Sequence, residues 1–269
     1  MSLYNKNILD RFKLDGKIAL VTGAAQGIGK ALAIALAQAG ASAVGLFDLE
    51  SETLRHTEKE LNAHFSSTEI IAFAADVSNA DQVNHAISEF ASKFGRLDIA
   101  CNNAGIVFSG VEEKYASENA SVEQWKKTLD VDLTGVFLCC QAEAKWMLPQ
   151  HYGKIINTAS MSAHIVNHPQ KQAAYNAAKA GVVQLTRTLG AEWADRGVHV
   201  NCISPGYINT PITNTPALKP IMDYWVRLTP ANRLGEVEDL QGPVVFLASD
   251  ASSFMFGGEI IPDGGFTLW

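Results

Sequence analysis

Short, almost purely apolar runs recur along the chain, each followed by a longer segment with apolar residues at helical spacing. The runs are Lys17–Thr22, Ala43–Asp48, Glu69–Ala75, Leu97–Cys101, Lys154–Thr158, Val198–Ile203 and Glu259–Ile261. Between them lie helical patterns at Ile28–Ala39, Ser51–His64, Ala80–Phe94, Ser121–Leu148, Gln172–Ala194 and Val237–Ser249. A strand with no polar face must be covered on both sides. Strands alternating with helices therefore predict a parallel sheet with helices on both faces. Right-handed crossovers make it doubly wound, a Rossmann-type α/β fold of about seven strands.

No Pro-, Gly- or Ser-rich linker and no break in charge divides the chain. Its 269 residues are expected to form one domain. The net charge of -7 argues against nucleic acid or an anionic membrane as the main partner. The N-terminus, Met1–Gly16, is polar and does not resemble a secretion signal. No run approaches the ~20 apolar residues of a membrane span, so a cytoplasmic protein is expected. Cys101, Cys139, Cys140 and Cys202 form no CxxC pair, and read as buried thiols in a reducing compartment. The histidines show no ligand spacing, so no metal is expected. The stretch 207–235 holds Pro211, Pro216, Pro220 and Pro230 and follows the end of a strand. Long connections there are commonly functional, and this one is expected to be a substrate lid.

Thr22-Gly23-Ala24-Ala25-Gln26-Gly27-Ile28-Gly29 joins the first strand to the first helix. Glycines allow a tight turn and close approach of a pyrophosphate, and the helix start offers free N–H groups and the positive dipole end. Asp48 ends the second strand. A carboxylate there accepts hydrogen bonds from an adenosine ribose and repels a 2′-phosphate, so NAD is expected over NADP. A solvated loop acid is the rival reading. Asp76 after the third strand and Asn102-Asn103-Ala104-Gly105 after the fourth suit a cofactor edge or ordinary turns.

Tyr175 and Lys179 are four residues apart on one helix face. An ammonium beside a phenol favours the phenolate, which makes Tyr175 a candidate acid and base. Alone, such a pair is common on helix surfaces.

Taken in order, these motifs resemble the short-chain dehydrogenase/reductase family, from about Leu14 to Trp269. The resemblance implies hydride transfer between a nicotinamide and a carbinol carbon, usually in a homotetramer. It implies that Gly23, Gln26, Ile28 and Gly29 hold the pyrophosphate, Asp48 the adenosine ribose, and Asp76 and Val77 the adenine. Asn103 and Gly105 then line the cofactor, and Lys179 holds the nicotinamide ribose beside Tyr175. Pro205, Gly206, Ile208 and Thr210 flank the nicotinamide. The family's serine matches Ser160 by its place at a strand end, whereas a count of 13 residues back from Tyr175 lands on Ser162. Strand geometry favours Ser160, with Ser162 a second contact. Asp132 stands where the family usually has Asn in the long helix, a catalytic position. The resemblance implies that its main-chain carbonyl holds a relay water at a helix kink. Asp keeps that carbonyl and adds a negative charge near Lys179.

A narrower resemblance, in Ser160–Gln170 and the ending Asp263–Trp269, is to the family's polyol dehydrogenases. It implies a sugar alcohol or ketose as substrate. Asn167, His168, Gln170 and Tyr207 suit hydroxyl groups, and Trp269 falls at a subunit contact in that subgroup. Reduction of a 3-oxoacyl thioester or diketone is the first alternative, and a non-catalytic dinucleotide-binding protein the second.

Overall fold

The computed structural model describes residues 7–216 and 218–269. Met1–Lys6, the start of the polar N-terminal stretch, and Ala217, within 207–235, lie outside the described residues.

The apolar runs form β1 (Ile18–Thr22), β2 (Ala43–Asp48), β3 (Glu69–Ala74), β4 (Ile99–Asn102), β5 (Gly153–Thr158), β6 (Val198–Ile203) and β7 (Glu259–Ile260). They make one seven-stranded sheet in the order β3-β2-β1-β4-β5-β6-β7, with every pairing parallel. The fourth strand starts later than its apolar run. Asp98 precedes it, fully buried, and its carboxylate accepts the N–H of Ile18 at 2.9 Å.

On one face lie α1 (Gly27–Gln38), α2 (Glu52–His64) and, from the end of the chain, α8 (Gln241–Ala248). On the other lie α3 (Ala80–Phe94), α5 (Gly135–Met147) and α6 (Ala173–Trp193). Alternate strand residues serve the two layers. Ile18 and Leu20 pack with Phe90, Val136 and Val182, while Ala19 and Val21 pack with Leu32, Leu36 and Val244. Each fully buried Leu contributes about 2 kcal/mol, so the strands need no polar face.

β3 is an edge strand, and α2 seals its outer side. The Asn62 amide bonds both backbone groups of Ile70, Glu58 accepts the N–H of Ala72, and Arg55 donates to the Ala72 carbonyl. Groups that would recruit another strand are thereby satisfied within the chain.

The long helix expected over Ser121–Leu148 is interrupted. α4 (Val122–Leu129) leads into a π-turn at Asp130–Thr134 and then α5. The N–H of Gly135 reaches Asp130, five residues back, so one extra residue is accommodated in the turn. Asp132 lies in that turn. The stretch 207–235 is structured as well. It holds α7 (Met222–Leu228), and Leu218, Ile221 and Trp225 form its own small core. Its ends are pinned by Asn209 N–H to Gly235 O at 2.7 Å and Gly235 N–H to Tyr207 O at 2.9 Å. No helix of the described residues is long and apolar enough to cross a membrane.

Strand order reverses direction between β1 and β4. The loops at their carboxyl ends diverge there and leave a crevice, where open α/β sheets bind ligands.

Candidate active site

The β1–α1 loop enters that crevice. Gly23 and Gly27 have φ of +66° and +56°, a region open to glycine and strained for other residues. A Cβ on Gly23 would lie 2.8 Å from Ala104 Cα, and one on Gly29 would run into the Gly23 carbonyl. Thr22 ties the loop to the β4 end, its hydroxyl accepting the N–H groups of Asn103 and Ala104, both at 3.0 Å. The Asn103 amide donates to Thr22 O at 3.1 Å. Gln26 begins α1 without a side-chain cap, which leaves the helix start able to receive an anion. Thr210 and Pro211 lie close over Gly27.

At the end of β2 both carboxylate oxygens of Asp48 are placed by backbone, one by Ala25 N–H at 2.9 Å and one by Leu49 N–H at 2.8 Å. Nearby cations are already engaged. Lys30 pairs with Glu60 at 2.7 Å, and Arg55 pairs with Glu50. Asp76 accepts from the Ser78 backbone and hydroxyl through one oxygen, leaving the other available. Val77 packs against Gly135 at the π-turn.

Deeper in the crevice α6 brings Tyr175 and Lys179 onto one face. Lys179 is 2% exposed and donates to the Thr158 carbonyl at 2.9 Å. Its ammonium lies 5.5 Å from the Tyr175 ring centre. Opposite stands Asp132, fully buried, with one oxygen accepting Ile106 N–H at 2.7 Å and the other without a partner among the described residues. A Cβ on Gly105 would come within 3.3 Å of the Asp132 carboxylate and 3.4 Å of the Lys179 ammonium. Glycine there keeps the passage between the two charges open.

The protonation balance differs from the sequence expectation of a phenol lowered by its lysine. Burial pushes the Tyr175 phenol well up, the Asp132 charge adds to the rise, and the Ser160 hydroxyl opposes it. The lysine is turned to Thr158 and is itself lowered by burial, with Asp132 pulling the other way. Burial also raises Asp132, against the attraction of Lys179 and the bond from Ile106. In this arrangement Tyr175 is a protonated donor.

Ser160 and Ser162 are both buried and their hydroxyls lie 3.1 Å apart. Beyond them Asn167 and Gln170, both buried, converge on the Tyr207 hydroxyl at 3.0 and 2.6 Å. The Tyr207 ring stacks on Trp225 with centres 4.0 Å apart. His168 lies outside this group and meets the Tyr224 hydroxyl at 3.0 Å. Pro205, Gly206 and Ile208 wall the same side, Pro205 accepting Met161 N–H at 3.1 Å.

The family described as Enoyl-(Acyl carrier protein) reductase matches residues 23–267. The chain belongs to the short-chain dehydrogenase/reductase family. Over 264 residues this dehydrogenase/reductase is 39% identical to a probable NADP-dependent mannitol dehydrogenase of Yarrowia lipolytica, covering 97% of this chain and 91% of the relative. It is 40% identical to a sorbose reductase of Candida albicans, covering 97% and 90%. It is 39% identical to a 3-oxoacyl-[acyl-carrier-protein] reductase of Synechocystis, covering 95% and 99%. A solved short-chain type dehydrogenase/reductase from Mycobacterium marinum superposes with a TM-score of 0.91 at 39% identity, covering 98% and 100%. The family's oxidoreductase fold and its nicotinamide dinucleotide thus apply to this chain.

The crevice fits such a group: an uncapped helix start, glycines where a Cβ would intrude, and a carboxylate fixed at the β2 end. Residue reasoning overlooked four side chains that shape the site. Thr22 knits two loops together, and Gln172, Asn176 and Trp225 orient the polar wall. The contacts of Thr22 and Trp225 span 82 and 55 positions of sequence, so no local pattern announces them.

Replacing Asp132 with Asn tests the electrostatics of the dehydrogenase/reductase. The substitution keeps the acceptor for Ile106 and removes a negative charge that holds the Tyr175 proton on. If Tyr175 is the group that takes the proton from the alcohol, oxidation should then turn on at lower pH. A pH profile of kcat/KM identical to that of the parent would discard the role given to the Asp132 charge.

Proposed function

We propose that the protein is an NAD(H)-dependent oxidoreductase that interconverts a secondary alcohol and a ketone, with a sugar alcohol and a ketose as the pair. The observation that carries the substrate class is the buried polar wall of Asn167, Gln170 and Tyr207 beside Tyr175. A site for a plain ketone has no use for such groups, whereas rejecting a substrate that lacks a hydroxyl requires them. The mannitol dehydrogenase and sorbose reductase among the relatives support the same class.

In this proposal Gly23, Gln26, Ile28 and Gly29 hold the pyrophosphate. Asp48 takes the adenosine ribose, and Asp76 and Val77 the adenine. Asn103 and Gly105 line the dinucleotide, and Pro205, Gly206, Ile208 and Thr210 flank the nicotinamide. When bound, that cofactor supplies or accepts the hydride at the carbinol carbon. Tyr175 gives its proton to the ketone oxygen, or removes one from the alcohol. Ser160 donates to the same oxygen, with Ser162 beside it. Lys179 holds the nicotinamide ribose and, with Asp132, forms the polar passage behind the phenol. The stretch 207–235 covers the substrate.

Asp48 favours NAD. A 2′-phosphate near a fixed carboxylate costs up to ~4 kcal/mol per unit charge pair at an effective dielectric near 20, and a third of that is about tenfold. The neighbouring cations are already paired. Asp48→Ser is therefore expected to shift the ratio of kcat/KM for NADP against NAD upward by at least about tenfold. An unchanged ratio would place the discrimination elsewhere.

Among the exposed large apolar side chains are Val122 and Trp125 on α4 with Phe137 on α5, and Phe254, Leu268 and Trp269 near the C-terminus. They suit two different self-contacts, as a homotetramer of dihedral symmetry requires.

A panel of sugar alcohols and ketoses, assayed with NAD(H) and NADP(H), tests the activity. Turnover of acetoacetyl thioesters with none of any polyol or ketose would favour the second reading, which the Synechocystis relative supports.

A further inference from the structure

The polar wall has a fixed sense of donation, and it ends on a single hydrogen. The Trp225 indole N–H donates to Gln170 Oε1 at 3.3 Å. An indole can only donate, so Gln170 must turn its oxygen to Trp225 and its NH₂ to Tyr207, which it reaches at 2.6 Å. At the other end Asn176 Nδ2 donates to the Ile165 carbonyl at 3.2 Å. A carbonyl can only accept, so Asn176 presents its oxygen to Gln172 Nε2 at 3.0 Å. The same Gln172 NH₂ meets Asn167 Oδ1 at 3.1 Å, which leaves the Asn167 NH₂ facing Tyr207 at 3.0 Å. Neither amide can be reversed without setting two donors or two acceptors against each other.

The Tyr207 oxygen therefore accepts from both amides, and its own hydrogen cannot be returned to either. Stacking on Trp225 and the edge of Phe266, 5.2 Å away, fix the ring.

We propose that Tyr207 is the specificity-determining residue of the site, a fixed donor to one oxygen of the bound substrate, and that Asn167 and Gln170 orient it without touching the substrate. This rests on the ketose and sugar-alcohol reading above and narrows it. The substrate carries, apart from its reacting carbon, an oxygen able to accept. Two orienting bonds make the hydroxyl a stronger donor, since hydrogen bonds in a chain polarise one another.

The test is Tyr207→Phe, which keeps the ring and its stacking. A panel of ketohexoses and an unsubstituted cyclic ketone are reduced by parent and variant, and kcat and KM are separated. The ratio of kcat/KM for the preferred ketose to that for the plain ketone should fall about tenfold, a single hydrogen bond, mainly through KM. NADH binding, followed by fluorescence, reports that the variant is folded. Gln170→Glu is the second variant. Its carboxylate takes the indole N–H on one oxygen and the Tyr207 proton on the other, so the donor turns inward and the same ratio should fall with the tyrosine in place. A ratio unchanged in Tyr207→Phe, in a parent that prefers ketoses, overturns the inference and leaves the proposed function standing. A parent with no turnover of ketoses overturns both.

Discussion

Tyr175→Phe is expected to lose a factor of about 10²–10⁴ in turnover, the contribution of a placed general acid or base, while NADH binding changes little. Phenylalanine fills the same space on α6 and removes only the oxygen. That oxygen belongs to the ring over which the Lys179 ammonium lies, 5.5 Å from its centre. Burial and the Asp132 charge hold its proton on, so in the proposed reaction ketone reduction has its acid ready across the neutral range. Alcohol oxidation must first ionise the same phenol against burial, and its optimum should lie at higher pH than that of reduction. The two optima and the loss in Tyr175→Phe are read in one set of NADH absorbance assays. A variant as fast as the parent would remove Tyr175 from the proton step.

The same phenol marks how far the sequence could be read. The alternation of apolar runs and helices was enough to place seven strands in order, because a strand without a polar face has few ways to be covered. The glycine loop, Asp48 and the Tyr175–Lys179 pair could be picked out as candidates because each is a local pattern on one element, and the fold brings all of them to the crevice at the carboxyl ends of the strands. The π-turn at Asp130–Thr134 left no mark in the spacing, which it preserves to within one residue; only the family resemblance implied a kink at Asp132. The sense of the Tyr175 shift was not legible either. Charge spacing along α6 suggests a lowered phenol, but burial depends on β5, on the π-turn and on the direction Lys179 takes toward Thr158. The polar wall lay between the two cases. Asn167, Gln170 and Tyr207 could be named as polar groups, but which of them face a substrate depends on Trp225 and Asn176, far along the chain or turned back upon it.

Glu143→Gln should make the protein more stable at alkaline pH, by the second large effect that the structure supports. Glu143 lies on α5, fully buried, and its Oε2 accepts from the Asn102 amide at 3.1 Å. Two acceptors of this pair, Glu143 Oε1 and Asn102 Oδ1, have no partner among the described residues. A proton on Oε1 satisfies both, giving a cyclic acid–amide pair. Around it stand Cys101 on β4, Cys139 and Cys140 on α5, Asn157 on β5 and Thr186 on α6. None is a cation. Burial accordingly pushes the carboxyl up to about 8, against the opposing bond from Asn102. The unfolded chain releases this proton near 4.5, so between those values the folded state holds one proton more. Stability from this group is complete below 4.5 and falls as pH rises to about 8, by about 5 kcal/mol in all. Glutamine supplies the missing donor permanently and has no proton to lose. At pH 8 the variant should therefore melt about 10 °C above the parent, and near pH 5 the two should converge. Burial of His199 lowers its affinity for a proton and gives a slope of opposite sign below its ordinary value, but that slope is common to both proteins and cancels in the difference. Melting temperatures that run parallel from pH 5 to 8 would mean that Glu143 is already ionised, and that the orphaned oxygens of Asn102 and Glu143 face each other without a shared hydrogen.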